Sequence, residues 1–381
     1  MGSAKTNLLG RAGGLGCSES PRLEIRGRLG RRPDGRLDIA AERIARPSVF
    51  VGGSPSGTDE GFLPNPGAIV INEVLAHSPE ASPDWIELHN TTGSPINIGG
   101  WFLSDDANEP MKYEIASGTS IGAYGYEVFD QDLHFGNPSD PGSNVVFALS
   151  ENGEEVALSS GQGGVLTGYN EEEDFGASEQ DISFGRYYKG STGTFNFVAM
   201  SALTPGVANA YPKVGPIVIN EIMYHPVSED AEYIELLNIT GSSVTLYDGT
   251  TFEPWKITDG FDYLFPDPAI SLGAGQFMIL AKDLALFNTT YPGVTCQKYE
   301  WDDKSLSNGG ERIELGMPGD VNDIGLRQYI RIDRVNYDDE GLWPTAPDGS
   351  GPGLSRIDST LYGNDPNNWQ SAAASPGSAN P

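Results

Sequence analysis

Glu73 with His77 and Glu221 with His225 are the residues whose type and spacing could move a proton. Four positions apart on a continuous strand, such a pair lies on one face, and a carboxylate beside an imidazole is an acid–base couple. Hydrolysis asks for more: a nucleophile with its base and orienter, or three metal ligands. The four histidines, His77, His89, His134 and His225, supply neither at a recognised spacing. The chain therefore reads as a non-enzyme. Its recurring polar residues, Asn72, Glu73 and Glu87 with Asn220, Glu221 and Glu235, are expected to satisfy backbone donors at sheet edges or bulges.

These residues belong to phrases that occur twice. Ile69-Val70-Ile71-Asn72-Glu73 returns as Ile217-Val218-Ile219-Asn220-Glu221, and Asp84-Trp85-Ile86-Glu87-Leu88 returns as Glu232-Tyr233-Ile234-Glu235-Leu236. The glutamates keep one spacing, 14 positions in each copy. Closing phrases match as well, Leu203-Thr204-Pro205-Gly206-Val207-Ala208-Asn209 with Ala374-Ser375-Pro376-Gly377-Ser378-Ala379-Asn380. A unit of this length is a whole domain, not a solenoid repeat. The offset between copies grows from 148 at the glutamates to 171 at the closing prolines, so the second copy is longer. Loops around Thr250–Phe252, Phe261–Pro268 and Asp338–Pro352, rich in Gly, Pro and Asp, are where much of the extra length is expected.

The elements that must position these side chains read as short strands. Ile69, Ile71 and Glu73 alternate with Val70, Asn72 and Val74, and Trp85 to His89 follows as a second strand. Asn90-Thr91-Thr92-Gly93 and Asn238-Ile239-Thr240-Gly241 end the second strand of each copy. Further strands are expected at Trp101–Leu103, Gly125–Phe129, Val145–Leu149 and Glu155–Leu158, with Asn152-Gly153 as a hairpin turn between the last two and Asn308-Gly309 as its counterpart. Forty-nine glycines and 27 prolines in 381 residues suit tight turns rather than long helices.

A net charge of −30 repels phosphates and anionic membranes, which argues against a nucleic-acid partner. Two cysteines, Cys17 and Cys296, make no disulfide framework, and no apolar run reaches the roughly 18 residues of a spanning helix. Residues 1–46 differ in kind: ten Lys/Arg against five Asp/Glu predict a basic leader, disordered or removed.

Taken together, the Ile-x-Ile-Asn-Glu opening, the Trp/Tyr-Ile-Glu-Leu-x-Asn strand, Trp101-Phe102-Leu103-Ser104-Asp105 and the Pro-Gly-x-Ala-Asn ending resemble bacterial lamin-tail domains. In the second copy Trp255-Lys256-Ile257-Thr258-Asp259 stands where that pattern has aromatic-Leu-Ser-Asp. The resemblance implies an all-β chain: two tandem immunoglobulin-like β-sandwiches, residues 67–211 and 214–381, after a flexible N-terminal segment. It also implies a non-catalytic module of a bacterial secreted or surface protein, hence an extracellular or cell-surface location.

Other binding chemistry is open to the sequence. Asp320-Val321-Asn322-Asp323, Asp302-Asp303 and Asn364-Asp365 carry the hard oxygens calcium takes, without an EF-hand pattern. Asn90, Asn238 and Asn288 head Asn-x-Thr sequons and are candidate glycosylation sites. Trp255, Trp301, Trp343 and Trp369 could stack on a glycan, or form core. Residues 47–66 contain the β-prone run Val49-Phe50-Val51 and then a Gly/Pro-rich tether. This strand has no local partner: it can pair with its own first sandwich, or enter a neighbour's sheet and drive head-to-tail assembly into a filament. The alternative function is a glycan- or calcium-binding accessory module.

Overall fold

The computed structural model describes residues 63–227, 231–266, 270–301 and 304–381. Within them lie two immunoglobulin-like β-sandwiches, each with its own apolar core. In the first, five antiparallel strands run in the order Thr194–Ala199, Phe184–Lys189, Ile69–Leu75, Trp85–Asn90, Tyr126–Asp130. They face a four-stranded sheet of Tyr113–Glu114, Phe102–Ser104, Gly153–Gln162 and Val165–Gly176. The second sandwich repeats this plan. Its larger sheet runs Gln297–Glu300, Phe277–Ala281, Tyr233–Asn238, Ile217–Met223, Gly353–Arg356, Trp369–Ala372, opposite Tyr263–Leu264, Lys256–Asp259, Glu311–Val321 and Arg327–Tyr337. Lys256–Asp259 holds the place of Phe102–Ser104, because Ile257 pairs with Leu315 as Leu103 pairs with Leu158.

The opening strand departs from simple alternation. Its register with the second strand jumps between Ile71 and Glu73, and between Ile219 and Glu221 in the other copy, so Asn72 and Asn220 are bulged residues. A bulge turns the following side chains over. Ile69 and Ile71 are core before it and Val74 and Ala76 after it, while Glu73 does not share the Ile69–Ile71 face as expected. The same switch takes the second copy from Ile217 and Ile219 to Ile222 and Tyr224.

Two expected hairpins lie elsewhere. Val145–Leu149 makes no strand; Val145 is tied to the Lys112 carbonyl, and Phe147 and Leu149 drop into the core. Asn152-Gly153 merely leads into a long strand, and the true hairpin joins Gly153–Gln162 to Val165–Gly176 through Gly163-Gly164. Both glycines have positive φ, 58° and 74°, the two-residue geometry that matches strand twist. Glu311–Val321 and Arg327–Tyr337 form the corresponding hairpin.

Where the sandwiches meet, Tyr211 Oη accepts the Tyr362 N–H at 2.9 Å, and the Tyr187 ring stands edge-on to both Tyr211 and Tyr362.

Candidate functional site

Glu73 and Glu87 lie on the face of the larger sheet that points away from the core, yet both are completely buried. The closing segment covers them. Thr204-Pro205-Gly206-Val207 forms a turn, its Val207 N–H donating to Thr204 O at 3.2 Å, with Gly206 at φ +83°. Pro followed by a positive-φ Gly is a type II turn, which turns the glycine N–H outward. That N–H donates to Glu87 Oε2. Glu87 Oε1 accepts Asn72 Nδ2 at 2.7 Å. Glu73 accepts the Thr204 hydroxyl at 2.6 Å, the Thr204 N–H at 3.2 Å and the Ser183 hydroxyl at 2.6 Å. Asn209 ends the segment by donating to the carbonyls of Asn72 and Arg186, each at 3.0 Å.

The second copy uses the same parts. Gly377, at φ +80°, donates to Glu235 Oε2 at 2.6 Å, and Asn220 Nδ2 donates to Glu235 Oε1 at 2.7 Å. The Ser375 N–H reaches Glu221 at 3.1 Å, and Asn380 donates to the carbonyls of Asn220 and Arg356 at 2.9 Å. Burial pushes Glu87 and Glu221 up to about 7 and Glu235 up to about 8, although bonds from the closing segment pull each down. Every oxygen of these four carboxyls accepts a hydrogen bond from a backbone N–H, an asparagine amide or a hydroxyl of its own sandwich, which commits them to holding the closing segment.

The histidines stand apart from these glutamates. His77 lies beyond the end of its strand with Nδ1 3.0 Å from Ser178 O, and His225 Nδ1 pairs with the Asp348 carboxylate. Neither Glu–His couple forms.

Arg186 and Arg356 complete the arrangement, and the sequence reading passed over them. They follow the paired residues Gly185 and Ser355 at equivalent places. Arg186 bonds Glu171 at 3.1 Å and Glu173 at 2.8 Å, and burial raises Glu173 to about 7 against the pull of the arginine. Arg356 is wholly enclosed and bonds Asp333 at 2.6 Å, while Asp333 also accepts the Ile219 N–H. Glu171 and Asp333 are matching hairpin positions, opposite Leu158 and Leu315. The available signal was the Arg of Phe184-Gly185-Arg186 and Leu354-Ser355-Arg356, standing 19 and 20 positions before the closing prolines.

The remaining candidates are dispersed. Asn90 and Asn238 are fully buried, and each Nδ2 donates to one carbonyl of its own turn, Ser94 or Ser242, and to two of a distant segment, Ile121 and Gly122 or Leu272 and Gly273, so the folded domains offer neither side chain to a sugar. Asn288 is exposed on the helix Leu284–Thr290. Trp255, Trp301 and Trp369 are core, which removes them as stacking platforms, and Trp343 is half-buried against it. Asn322 Oδ1 accepts the Leu326 N–H of its own turn, and Asp365 caps a short helical turn. Asp302 and Asp303 lie outside the described residues, as do Val49, Phe50 and Val51. Among the described residues no three His, Cys, Asp or Glu side chains gather as a metal site, and no helix is long and apolar enough to cross a membrane.

No curated protein matches this chain. Residues 64–172 match the model of the Lamin Tail Domain family, and that stretch of the first sandwich is thus similar to a non-enzymatic immunoglobulin-like domain.

Proposed function

We propose that this chain is a non-catalytic extracellular structural or adhesive protein. In this reading residues 214–381 are a second lamin-tail copy, and chains polymerise head to tail into a surface filament by donating the Val49–Val51 strand. One observation carries it: the glutamates repeated between the copies, Glu73, Glu87, Glu221 and Glu235, are all occupied in tying the closing segments to the sheets. A duplicated catalytic set would leave such groups facing a cleft. Electron microscopy of the whole chain beside a variant lacking residues 1–66 tests the reading. Filaments in the first and none in the second are expected; monomers in both would overturn it.

A glycan- or calcium-binding accessory module is the second reading. A place for it is the shallow, open groove in the second sandwich between Tyr291–Thr295 and Ala374–Ser378, whose hydroxyls suit a glycan and which no carboxylate lines.

A further inference from the structure

The two sandwiches differ at one sheet edge. In the second, Phe277–Ala281 pairs on its outer side with the parallel strand Gln297–Glu300, Met278 opposite Gln297 through Ala281 opposite Glu300. A parallel neighbour needs a crossover, and the helix Leu284–Thr290 supplies it, docking Phe287 beside Met223, Tyr233 and Ile279. In the first sandwich the equivalent strand is Tyr126–Asp130, since Trp85 pairs with Asp130 as Tyr233 pairs with Ala281. Among the described residues this strand is the last of its sheet. The chain turns back within four residues, where the His134 N–H donates to Asp130 O at 3.0 Å. In the second sandwich the same bond, from Trp301 N–H to Ala281 O at 3.0 Å, comes twenty residues on. This helix-and-strand insertion contributes to the 34 positions from Ala281 to Leu315 against 28 from Asp130 to Leu158, and it is not one of the three loops expected to hold much of the extra length. Of those, Asp338–Pro352 is longer, since Asp333 to Ser355 spans 22 positions and Glu171 to Gly185 spans 14, and so is the loop around Thr250–Phe252, with 13 from Val244 to Ile257 against 7 from Ile96 to Leu103. The segment around Phe261–Pro268 is not longer, since Leu103 to Ile121 spans 18 positions and Ile257 to Leu272 spans 15.

The open edge has the chemistry of a strand acceptor. Gly125 O accepts the Asn90 N–H and Gln131 N–H donates to Asp84 O, so the ladder's alternation also turns Glu127 and Phe129 inward and leaves the N–H and C=O of Tyr126 and Val128 pointing outward. Asp130 is closed off by His134, whose Nδ1 accepts its N–H at 3.1 Å. The second sandwich shows what belongs there: Tyr299, opposite Leu280, packs against the core, and Leu280 corresponds to Phe129. The missing piece is a short parallel strand with an aromatic at its centre.

We propose that Tyr126–Asp130 is an acceptor edge filled by Val49-Phe50-Val51 of a second copy of this chain. The register follows Gln297–Tyr299: Val49 beside Val128 and Phe50 beside Phe129 in the place of Tyr299, with Val51 leaving the edge before Asp130, whose outward groups His134 takes. This rests on the filament reading and names its docking site. Main-chain bonds along the edge give affinity, and the aromatic fixes register. Donor and acceptor surfaces differ, so the contact propagates.

Cysteine pairing in the full chain tests it, with Cys17→Ser and Cys296→Ser as background. Neighbouring strands lie about 4.8 Å apart, within the roughly 4.4–6.8 Å a disulfide spans between Cα atoms. Mixing a Val49→Cys chain with a Val128→Cys chain should give a crosslinked dimer containing one of each. Absence of that product overturns the proposal, and so does crosslinking confined to single chains carrying both substitutions at high dilution. Val128→Pro removes an outward N–H and leaves the inward ladder intact, which edge strands tolerate. Loss of filaments with an unchanged melting temperature is expected. Filaments that survive Val128→Pro but vanish without residues 1–66 would keep the donor strand and overturn this edge; no filaments and no crosslink from any chain would overturn both.

Discussion

Gly377 donates its backbone N–H to Glu235 Oε2 at 2.6 Å, joining residues 142 positions apart, and Gly206 makes the same bond to Glu87 in the first sandwich. Strand and closing turn are thus stitched through a side chain instead of a ladder. Alanine at Glu87 or Glu235 leaves a glycine N–H and an asparagine amide without their acceptor in a buried place. Each should destabilise its sandwich by about 2–4 kcal/mol. Alanine at Glu73 or Glu221 should likewise lower stability, where a catalytic role would leave the fold unchanged. Urea denaturation of each variant measures both.

These carboxylates set a pH dependence. Glu87 and Glu221 at about 7 and Glu235 at about 8 stand above the ordinary 4.5. A raised carboxyl binds its proton more tightly when folded, so its contribution is complete below about pH 4.5 and is lost as pH climbs through 7 to 8. Unfolding free energy should fall between pH 5 and pH 8.5, on the order of 1–3 kcal/mol per group. Repulsion within a chain of net charge −30 acts in the same direction. Glu235→Gln isolates the carboxyl: the slope of stability against pH should flatten relative to the unaltered chain.

The turn glycines should differ in cost. Both need positive φ, which an alanine adopts at about 1–2 kcal/mol. A methyl on Gly206 meets open space, whereas on Gly377 it comes within 3.1 Å of Val294 and 3.4 Å of Cys296 Sγ. Thermal melts should show Gly377→Ala losing more than Gly206→Ala; equal losses would refute the crowding.

Burial separates the two arginine pairs. Arg356 and Asp333 are 0% and 6% exposed at their side chains, against 15%, 19% and 21% for Arg186, Glu171 and Glu173. Asp333→Ala strands an enclosed guanidinium and should cost about 3–5 kcal/mol. Arg186→Ala leaves its glutamates access to water, so the loss measured by denaturation should be smaller, about 1 kcal/mol.

Local features were legible in the sequence. The alternation of Ile69 and Ile71, the Asn-headed turns and the Pro-Gly closures follow from neighbouring residues, and the repeat made the all-β tandem reading firm. Sheet edges and bulges were both open to Asn72, and the sequence could not choose the bulge, since an extra residue is defined by the strand opposite it. Nor was the meeting of Thr204 with Glu73, which closes 131 positions and leaves no periodic trace. The sequence reading took the Asn152-Gly153 turn signal and passed over Gly163-Gly164, although two consecutive positive-φ residues need glycine more strictly. The crossover Leu284–Thr290 is too short to announce itself by helical periodicity.

The closing segment has a mechanical consequence. Tension drawn along the chain enters each sandwich at its opening strand and leaves through the residues just past the Pro-Gly turn. Entry and exit are bound to one another by Glu73 with Thr204 and Asn72 with Asn209 in one sandwich, and by Glu221 with Ser375 and Asn220 with Asn380 in the other. A pulling force therefore meets a compact group of hydrogen bonds before it reaches the apolar interior, and each sandwich behaves as a link with its own clasp.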